Sequence, residues 1–376
     1  MNDIYIYRNG QKMRCGYTTG SCATGATKAS AEMLFSGKIV ETINLMTPKG
    51  IMLELVVNDQ KTGEKTSCSV VKDGGDDPDS TDGMKIFSEV SLIPDGVEIS
   101  GGEGIGIVTK AGLDQPQGEW AINTVPRKMI KSALAEIARK YDYSGGFRVL
   151  ITAPEGKNIA LKTYNPRMGI EGGISIIGTS GIVEPMSSTA LIETIRTEAR
   201  MKHMYGEKNM VLTLGNYGES FLEKEMPFLA ENSIKCSNFI GEAIEIGMEI
   251  NYENILIIGH IGKLVKLGAG IMNTHSGSAD GRMDILVTCG LLAGADADIL
   301  RKIPYCVTVD SALDILKESD FLWRTMKILS RKADYYLKNK VYNKINIGVV
   351  MFSYKHGILV KTDNVNKIIK NLTERT

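Results

Sequence analysis

Three short apolar runs in this chain each end in a Gly-x-x-Gly turn, and this repeated ending constrains the fold more than any other feature. The runs are ISIIGTSG, MVLTLGNYG and ILIIGHIGK, and they place the glycine pairs at Gly178 and Gly181, Gly215 and Gly218, and Gly259 and Gly262. The first glycines of successive pairs are 37 and 44 residues apart (178 to 215, 215 to 259), which fits strand-turn-helix units and not a solenoid of fixed repeat length. Each pair is therefore predicted to lie at the carboxyl end of a strand, where open α/β sheets bind ligands.

The surrounding sequence does not match the strict nucleotide-binding fingerprints. GGEGIG misses the G-x-G-x-x-G register, and in GHIGKL only two residues separate the glycines where a Walker loop has four. A single Gly-x-x-Gly fits a tight turn between a strand and a helix equally well. Three together favour a ligand cleft, because glycine lets the backbone approach a ligand closely. The glycine pairs, with Thr179 and Asn216 between them, are therefore the predicted cofactor contacts.

The periodicity changes along the chain and predicts two domains. Residues 1–145 combine a capped, alanine-rich helix after Thr18 and Thr19 with a hairpin around Pro48 and Gly-rich strands, which predicts an α+β domain. Residues 146–376 alternate apolar runs with helical patterns, which predicts a mainly parallel, doubly wound α/β sheet. The length of 376 residues agrees with two domains, at a prior of about 150 residues each.

Composition excludes several classes of partner. With 44 basic and 44 acidic residues the formal net charge is +0, so bulk attraction to nucleic acid or to an anionic membrane is not expected. The six cysteines form no C-x-x-C pair, which argues against a zinc site or a disulfide scaffold and favours a reducing compartment. The N-terminus lacks an apolar signal core, and no run approaches the roughly 18 apolar residues of a membrane span. We expect a cytoplasmic protein that acts without nucleic acid or a membrane, with a homo-oligomer left open.

The acidic loop DGGDDPDSTDG, residues 73–83, has two interpretations. A calcium-binding EF-hand is excluded, because aligning Gly83 as the turn glycine puts Pro78 at the first ligand position. The loop is then either a solvated turn, since Asp and Gly form turns, or a display of carboxylates toward a cation or toward ribose hydroxyls. Asp76 and Asp77 are its candidate catalytic residues.

His260 and His275 are the two histidines that fall in Gly-rich or polar loops of the second domain. Neither belongs to an H-x-x-x-H pair, so metal ligation is disfavoured and no protein-bound metal is predicted. His260 follows Gly259 and is expected to project over the cleft, where it would donate a hydrogen bond or relay a proton, or else cap the following helical turn. Lysines beside the glycine loops are candidates for carboxylate recognition.

Six segments, spread in order from about residue 14 to about residue 290, belong together. They are RCGYTTGSCATGATKA, VVKDGGDDPDSTDG, GIGIVTKAGLDQPQGEWAINTVPRKMI, NPRMGIEGGISIIGTSGIVEPMS, LTLGNYG and IIGHIGKLVKLGAGIMNTHSGSADGR. Taken together they resemble the cobalt-precorrin-5B C(1)-methyltransferase family of anaerobic cobalamin biosynthesis. The resemblance implies S-adenosylmethionine-dependent methylation of cobalt-precorrin-5B at ring carbon 1 to give cobalt-precorrin-6A, and the cobalt then belongs to the substrate macrocycle.

The reaction that the resemblance implies needs no nucleophilic Ser or Cys, because the sulfonium already activates its methyl group. The enzyme must align the methyl group with the accepting carbon, exclude water and stabilise the changing charge. S-adenosylmethionine would contact the glycine pairs, and the catalytic candidates are His260, His275, Asp76 and Asp77. The macrocycle would contact Tyr17, Thr18, Thr19, Lys72, Lys263, Lys266, Ser276 and Asp280. Two alternatives stay open: a corrinoid or nucleotide binding module without turnover, and a metal-assisted hydrolase that uses the acidic loop with the two histidines.

Overall fold

The computed structural model describes residues 4–8, 10–166 and 168–373. The chain divides into two compact units, Met1–Ser188 and Thr189–Thr376. Buried apolar side chains form a large core within each unit. Each unit therefore has the hydrophobic interior that an independent domain requires.

The first unit is a mixed α/β unit built around a five-stranded sheet. Its elements, in chain order, are β1 (Tyr5–Arg8), β2 (Gln11–Arg14), β3 (Gly16–Tyr17), α1 (Thr19–Ser36), β4 (Thr42–Met46), β5 (Met52–Val56), β6 (Asn58–Lys61), β7 (Thr66–Val71), β8 (Lys85–Ile93), β9 (Val97–Gly101), β10 (Ile107–Val108), α2 (Thr124–Lys140), β11 (Gly146–Thr152), α3 (Gly156–Ala160), β12 (Ile170–Glu171) and β13 (Ile182–Val183). The sheet has the order β6-β7-β8-β11-β9 and is antiparallel except between β9 and β11. Helix α1 packs against β7, β8 and α2.

Helix α1 begins and ends where the sequence predicts. Thr18 is its N-cap, and the Thr18 hydroxyl oxygen accepts a hydrogen bond from the Ser21 N–H at 3.2 Å. Gly37 ends the helix in the left-handed conformation, at φ 66°, which glycine adopts without a Cβ clash. The hairpin predicted around Pro48 is also present, because β4 and β5 pair antiparallel. These local predictions are confirmed.

The first unit extends past the boundary predicted at residue 145. Strand β11 pairs antiparallel with β8 and parallel with β9, so the chain beyond residue 146 completes the first sheet and does not begin a second one. The run ISIIG makes only isolated bridges, through Ile174 and Ile176. The structure corrects the boundary to Ser188. Local periodicity predicts β11 as a strand but contains no information on which strands it pairs with.

The second unit is a five-stranded sheet with helices on both faces. Its elements are α4 (Ser188–Met204), β14 (Asn209–Thr213), α5 (Asn216–Glu225), α6 (Pro227–Ala230), β15 (Ser233–Lys235), α7 (Ile240–Glu249), β16 (Asn254–His260), α8 (Ile261–Leu264), α9 (Arg282–Leu292), α10 (Ala297–Leu300), α11 (Val309–Glu318), α12 (Leu322–Lys340), β17 (Asn346–Ser353), β18 (Gly357–Lys361) and α13 (Val365–Thr373), with 3-10 turns at Val265–Ala269 and Ile303–Tyr305. Among the described residues of the chain, no helix is long and apolar enough to cross a membrane.

The strand order of this sheet is β15-β14-β16-β17-β18, with four parallel strands and an antiparallel β18 at one edge. Counted within the unit the order is 2-1-3-4-5, which is that of flavodoxin-type sheets. Alternate strand residues point to opposite faces. Leu212 and Ile257 share a core with α7, α9 and α12, while Val211 and Ile258 share one with α5, α6 and α13. The strand order reverses between β14 and β16, and such a switch point leaves a crevice at the carboxyl ends of the strands.

Candidate functional site

The second and third glycine pairs flank this switch point. Strand β14 ends at Thr213, and Gly215 precedes the first residue of α5. Strand β16 runs beside β14 in parallel and leads through His260 into α8. The structure thus brings Gly215–Gly218 and Gly259–Gly262 to the same edge of the sheet. The predicted cofactor contacts in these two turns are neighbours in space.

Only one of these four glycines borders open space. A Cβ added to Gly215 would meet nothing closer than the Lys235 Cε at 4.0 Å, and the backbone there has φ 152°, which L side chains rarely adopt. A Cβ on Gly218 or Gly259 would instead lie about 3.1 Å from neighbouring side chains. At Gly262 it would lie 3.0 Å from the His260 ring. Gly215 is therefore the position where a ligand can approach the backbone, and the other three permit close packing within the protein.

His260 lies at the edge between the two turns with 23% of its side chain exposed. Its Nδ1 accepts a hydrogen bond from the Gly262 N–H at 3.1 Å, which caps α8. Because Nδ1 acts as the acceptor, the proton of the neutral ring belongs on Nε2. Nε2 lies 3.8 Å from Oδ2 of Asp310, whose Oδ1 accepts a hydrogen bond from the Ser353 hydroxyl at 2.7 Å.

Asp310 and Ser353 carry no local sequence signal that marks them as site residues. Asp310 is in the first turn of α11 and Ser353 is the last residue of β17, so both are far from His260 in sequence. They meet because β17 runs parallel to β16 and ends at the same edge. Only the strand order, which local patterns do not contain, could have placed them together.

Lys235 and Asn216 form the polar side of the crevice. The Lys235 ammonium donates hydrogen bonds to the Asn216 Oδ1 and to the Glu219 carboxylate. Asn216 starts α5, and no hydrogen bond in the described residues engages its N–H or that of Tyr217. Free N–H groups at a helix start carry partial positive charge. This edge therefore offers backbone donors and a lysine together.

Lys263 and Lys266 differ sharply in exposure. Lys263 is exposed and donates to the Asn238 Oδ1 at 2.9 Å. Lys266 is buried, and its ammonium donates to the Thr274 carbonyl at 3.1 Å and the Ala279 carbonyl at 2.6 Å. Burial lowers the pKa of Lys266. The predicted contact between Lys266 and substrate carboxylates is corrected here, because its donors hold the loop that follows.

That loop carries His275, Ser276 and Asp280, all of them exposed. The His275 Nδ1 accepts a hydrogen bond from the Gly277 N–H at 3.0 Å. Asp280 forms a two-point ion pair with Arg282, and the hydrogen bonds from that guanidinium lower the pKa of Asp280 to about 2. No contact in the described part of the chain joins His275 to His260. The loop presents its polar groups to solvent, where a ligand could reach them.

The first glycine pair is not at a strand edge of the second unit. Gly178 and Gly181 lie in the first unit, against the start of α1. A Cβ on Gly178 would lie 2.2 Å from the Thr18 Oγ1, and the Gly181 carbonyl accepts hydrogen bonds from the Thr18 N–H and the Ser21 hydroxyl. Thr179 is exposed and lies within the same turn. The predicted position of this pair at a strand end of the parallel sheet is wrong. The apolar run before Gly178 has the sequence pattern of a strand but does not join that sheet.

The GYTTG segment packs against the same turn at the start of α1. Thr18 and Thr19 are buried, and the Thr19 hydroxyl oxygen accepts a hydrogen bond from the Ile177 N–H at 2.9 Å. Tyr17 is also buried and donates to the Val71 carbonyl at 2.9 Å, and burial raises its pKa. All three side chains are engaged inside the first unit. Tyr17, Thr18 and Thr19 therefore have a packing role in this structure, and their contact with substrate stays a prediction.

The carboxylates of the acidic loop accept hydrogen bonds from other residues of the first unit. Asp73 forms a two-point ion pair with the Arg14 guanidinium, at 2.5 and 2.8 Å. Asp76 accepts a hydrogen bond from the Arg14 N–H at 2.6 Å, and Asp77 accepts one from the Met186 N–H at 2.9 Å. These hydrogen bonds hold the loop against the rest of the first unit. Asp76 and Asp77 therefore anchor the loop, and the catalytic role predicted for them stays a prediction.

Lys72 is the interior counterion of that loop. Its side chain is 1% exposed, and its ammonium lies 2.9 Å from an Asp79 carboxylate oxygen. Burial alone would raise the pKa of Asp79, but Lys72 and the Thr81 hydrogen bonds outweigh it and lower the pKa. The predicted contact between Lys72 and the macrocycle is corrected, because this ammonium does not reach the surface. Among the described residues, no group of three or more His, Cys, Asp or Glu side chains is placed to hold a metal ion.

The chain is an α/β protein, and its second unit places polar groups at the carboxyl ends of the strands that flank the switch point. Comparison with known proteins identifies the family. The family model described as CbiD matches residues 6–185, and the model described as CbiD, C-terminal domain, matches residues 273–363. The chain belongs to the CbiD family.

Curated relatives agree over nearly the whole chain. A cobalt-precorrin-5B C(1)-methyltransferase of Ruminiclostridium cellulolyticum is 47% identical over 350 residues, which cover 93% of this chain and 91% of the relative. One of Thermoanaerobacter sp. is 42% identical and covers 96% of this chain and 98% of the relative. A solved structure, the 1.9 Å crystal structure of cobalamin biosynthesis protein (cbiD) from Archaeoglobus fulgidus, is 26% identical, covers 74% of this chain and 87% of that one, and has a TM-score of 0.40.

Proposed function

We propose that this chain transfers the methyl group of S-adenosylmethionine to carbon 1 of cobalt-precorrin-5B. The observation that carries the proposal is 47% identity, over 93% of the chain, to a relative named for this reaction. An alignment of 350 residues extends over both units. The cobalt is part of the macrocycle that is methylated.

The crevice suits the methionine end of S-adenosylmethionine. Open space at Gly215 admits a ligand to the backbone. The N–H groups that start α5 and the Lys235 ammonium supply donors for a carboxylate. Gly215, Asn216 and Lys235 are therefore the residues that would hold the methyl donor. The turn at Gly259–Gly262 forms the other side of the crevice.

S-adenosylmethionine supplies an activated methyl group: the new carbon–carbon bond forms as the S–CH3 bond breaks, its electron pair stays on sulfur, and one positive charge passes to the macrocycle. The chain must align the two partners and keep water out. His260 carries its proton on a partly exposed Nε2, 3.8 Å from an Asp310 carboxylate oxygen, which suits it to donate a hydrogen bond or exchange a proton. No covalent intermediate with the protein is required.

The macrocycle carries many carboxylates and needs exposed donors. In the second unit Lys263, His275 and Ser276 are exposed and would meet it. Asp280 remains a candidate through its neighbour Arg282, which presents a guanidinium at the same loop. These contacts, the cytoplasmic location and a homo-oligomer stay predictions.

A transfer assay distinguishes the three functional hypotheses: methyltransferase, binding module and metal-assisted hydrolase. Incubation with methyl-labelled S-adenosylmethionine and cobalt-precorrin-5B is expected to move label to the macrocycle and release one S-adenosylhomocysteine per methyl. Retention of both ligands without transfer would support a binding module. Hydrolysis that a chelator stops would support a metal-assisted hydrolase.

A further inference from the structure

Two exposed tyrosines and His260 form an aromatic cluster at the switch-point edge. The ring centroids lie 5.7 Å apart for Tyr217 and Tyr354, 6.0 Å for His260 and Tyr354, and 6.1 Å for Tyr217 and His260. Tyr354 also donates a hydrogen bond to the Tyr217 carbonyl at 3.3 Å. Buried Phe352 contacts both His260 and Tyr354 from below. The three upper rings are therefore held in place around one point.

The two tyrosines of this cluster keep much of their surface open. Tyr217 is 68% exposed and Tyr354 is 62% exposed. Tyr7 and Tyr305 are more exposed still, so what distinguishes this pair is its packing with His260 at the carboxyl ends of the strands. The rings thus offer surface to a ligand at the edge where such sheets bind ligands. Their π-electrons attract a cation that comes within about 6 Å of a ring centroid.

A carboxylate stands next to the rings. Asp310 lies 3.8 Å from the His260 Nε2 and is 35% exposed. Its other oxygen is fixed by the Ser353 hydroxyl. Aromatic faces combined with one negative charge suit a ligand that is cationic and partly apolar. A sulfonium that carries three carbon substituents has this character.

We infer that Tyr217 and Tyr354, with His260 as a third wall and Asp310 as counterion, bind the sulfonium of S-adenosylmethionine. The inference rests on the proposed function and adds a site for the reacting centre, beside the Gly215 turn that would hold the methionine carboxylate. The product S-adenosylhomocysteine is a neutral thioether and loses the attraction to the rings. The cluster thus favours the methyl donor over the product and assists product release.

Calorimetric titration of both ligands tests the inference without relying on turnover. Tyr354→Leu is expected to weaken S-adenosylmethionine binding by about 2- to 30-fold, while S-adenosylhomocysteine changes by less than about twofold. Tyr354→Phe keeps the ring and should retain the preference. Tyr217→Leu, which removes no side-chain hydrogen bond, is the second variant if Tyr354→Leu does not fold. Asp310→Asn should also weaken the binding of S-adenosylmethionine more than that of S-adenosylhomocysteine.

Tyr335→Leu is the matched control. Tyr335 is 61% exposed on α12, in a surface groove with Asp363, near the edge where the parallel strands begin. Its loss should change neither affinity. Equal weakening of both ligands in the Tyr354 variant, no weakening, or a loss confined to the macrocycle would overturn the inference. A parent enzyme that binds neither ligand and transfers no methyl would overturn the proposed function, and the inference with it.

Discussion

At the scale of single residues, His260 uses its two ring nitrogens for different purposes. Nδ1 is occupied by the Gly262 N–H, so only Nε2 is available for a proton or a substrate hydrogen bond. The Asp310 carboxylate lies 3.8 Å from Nε2, and its negative charge favours a proton on that nitrogen. The capping role and the proton-donating role that the sequence left as alternatives are compatible with one another.

Two substitutions of His260 separate these roles. His260→Ala removes the cap and the proton, whereas His260→Asn can keep the cap, because an amide oxygen also accepts the Gly262 N–H. We expect both variants to methylate about 10²-fold more slowly in single-turnover experiments at saturating S-adenosylmethionine, a condition that removes any effect of the lost ring on affinity for the donor. Parent-like rates in the Asn variant would reduce His260 to a cap. His203→Gln, at the opposite edge of the sheet on α4, serves as the control.

Lys266 is expected to stabilise its loop. Lys266→Met keeps the aliphatic stem but leaves two carbonyl groups without their donor, so the free energy of unfolding should fall by about 1–3 kcal/mol. Hydrogen exchange should accelerate between residues 271 and 281. Exposed Lys263→Met is the matched control and should change stability by less than about 1 kcal/mol. Unchanged urea unfolding in the Lys266 variant would contradict the anchoring role.

At the scale of elements, the same Gly-x-x-Gly pattern serves different ends. At Gly215 it leaves open space at the start of α5, whereas at Gly178 it lets a loop pack closely against Thr18 at the start of α1. The acidic loop connects β7 to β8, and ion pairs with Arg14 and Lys72 hold it in place. Each pattern is local, but its purpose depends on the element against which it packs.

Matched glycine substitutions distinguish the two turns. Gly178→Ala is expected to lower the free energy of unfolding by about 1–3 kcal/mol, because its Cβ would overlap the Thr18 hydroxyl, and to leave S-adenosylmethionine affinity unchanged once folded. Gly215→Val should remain folded, lose about 1–3 kcal/mol of the free energy of unfolding to backbone strain at φ 152°, and lose at least about tenfold in affinity. Calorimetry and urea unfolding of both variants check this. A loss of affinity confined to Gly178→Ala would show that the donor contacts the first unit.

The acidic loop should make the first unit sensitive to acid. The Arg14 hydrogen bonds hold the pKa of Asp73 below its usual value of 3.8, despite partial burial. The stabilisation is therefore complete above pH 3.8 and is lost as the pH falls through the lower folded pKa. Urea midpoints measured from about pH 6 to about pH 2 should fall less steeply in Asp73→Asn than in the parent. Parallel pH profiles would contradict the role of this pair.

At the scale of the whole molecule, patterns with a local cause were predictable and long-range pairings were not. Caps such as Thr18 and Gly37, and the strand ends at Gly215 and Gly259, follow from sequence rules that act within one turn. The placement of β11 in the first sheet depends on its partner strands. The burial of Lys72 and Lys266 depends on loops that fold back over them, and no composition rule distinguishes such lysines from exposed ones.

Isotope-edited NMR shows whether a methyl group reaches carbon 1 of cobalt-precorrin-5B. The protein is incubated with the macrocycle and S-adenosylmethionine carrying a 13C methyl group. We expect one labelled methyl per macrocycle, bonded to ring carbon 1, with an equal amount of S-adenosylhomocysteine. A label on another ring position, or a macrocycle recovered without label while both ligands remain bound, would contradict it.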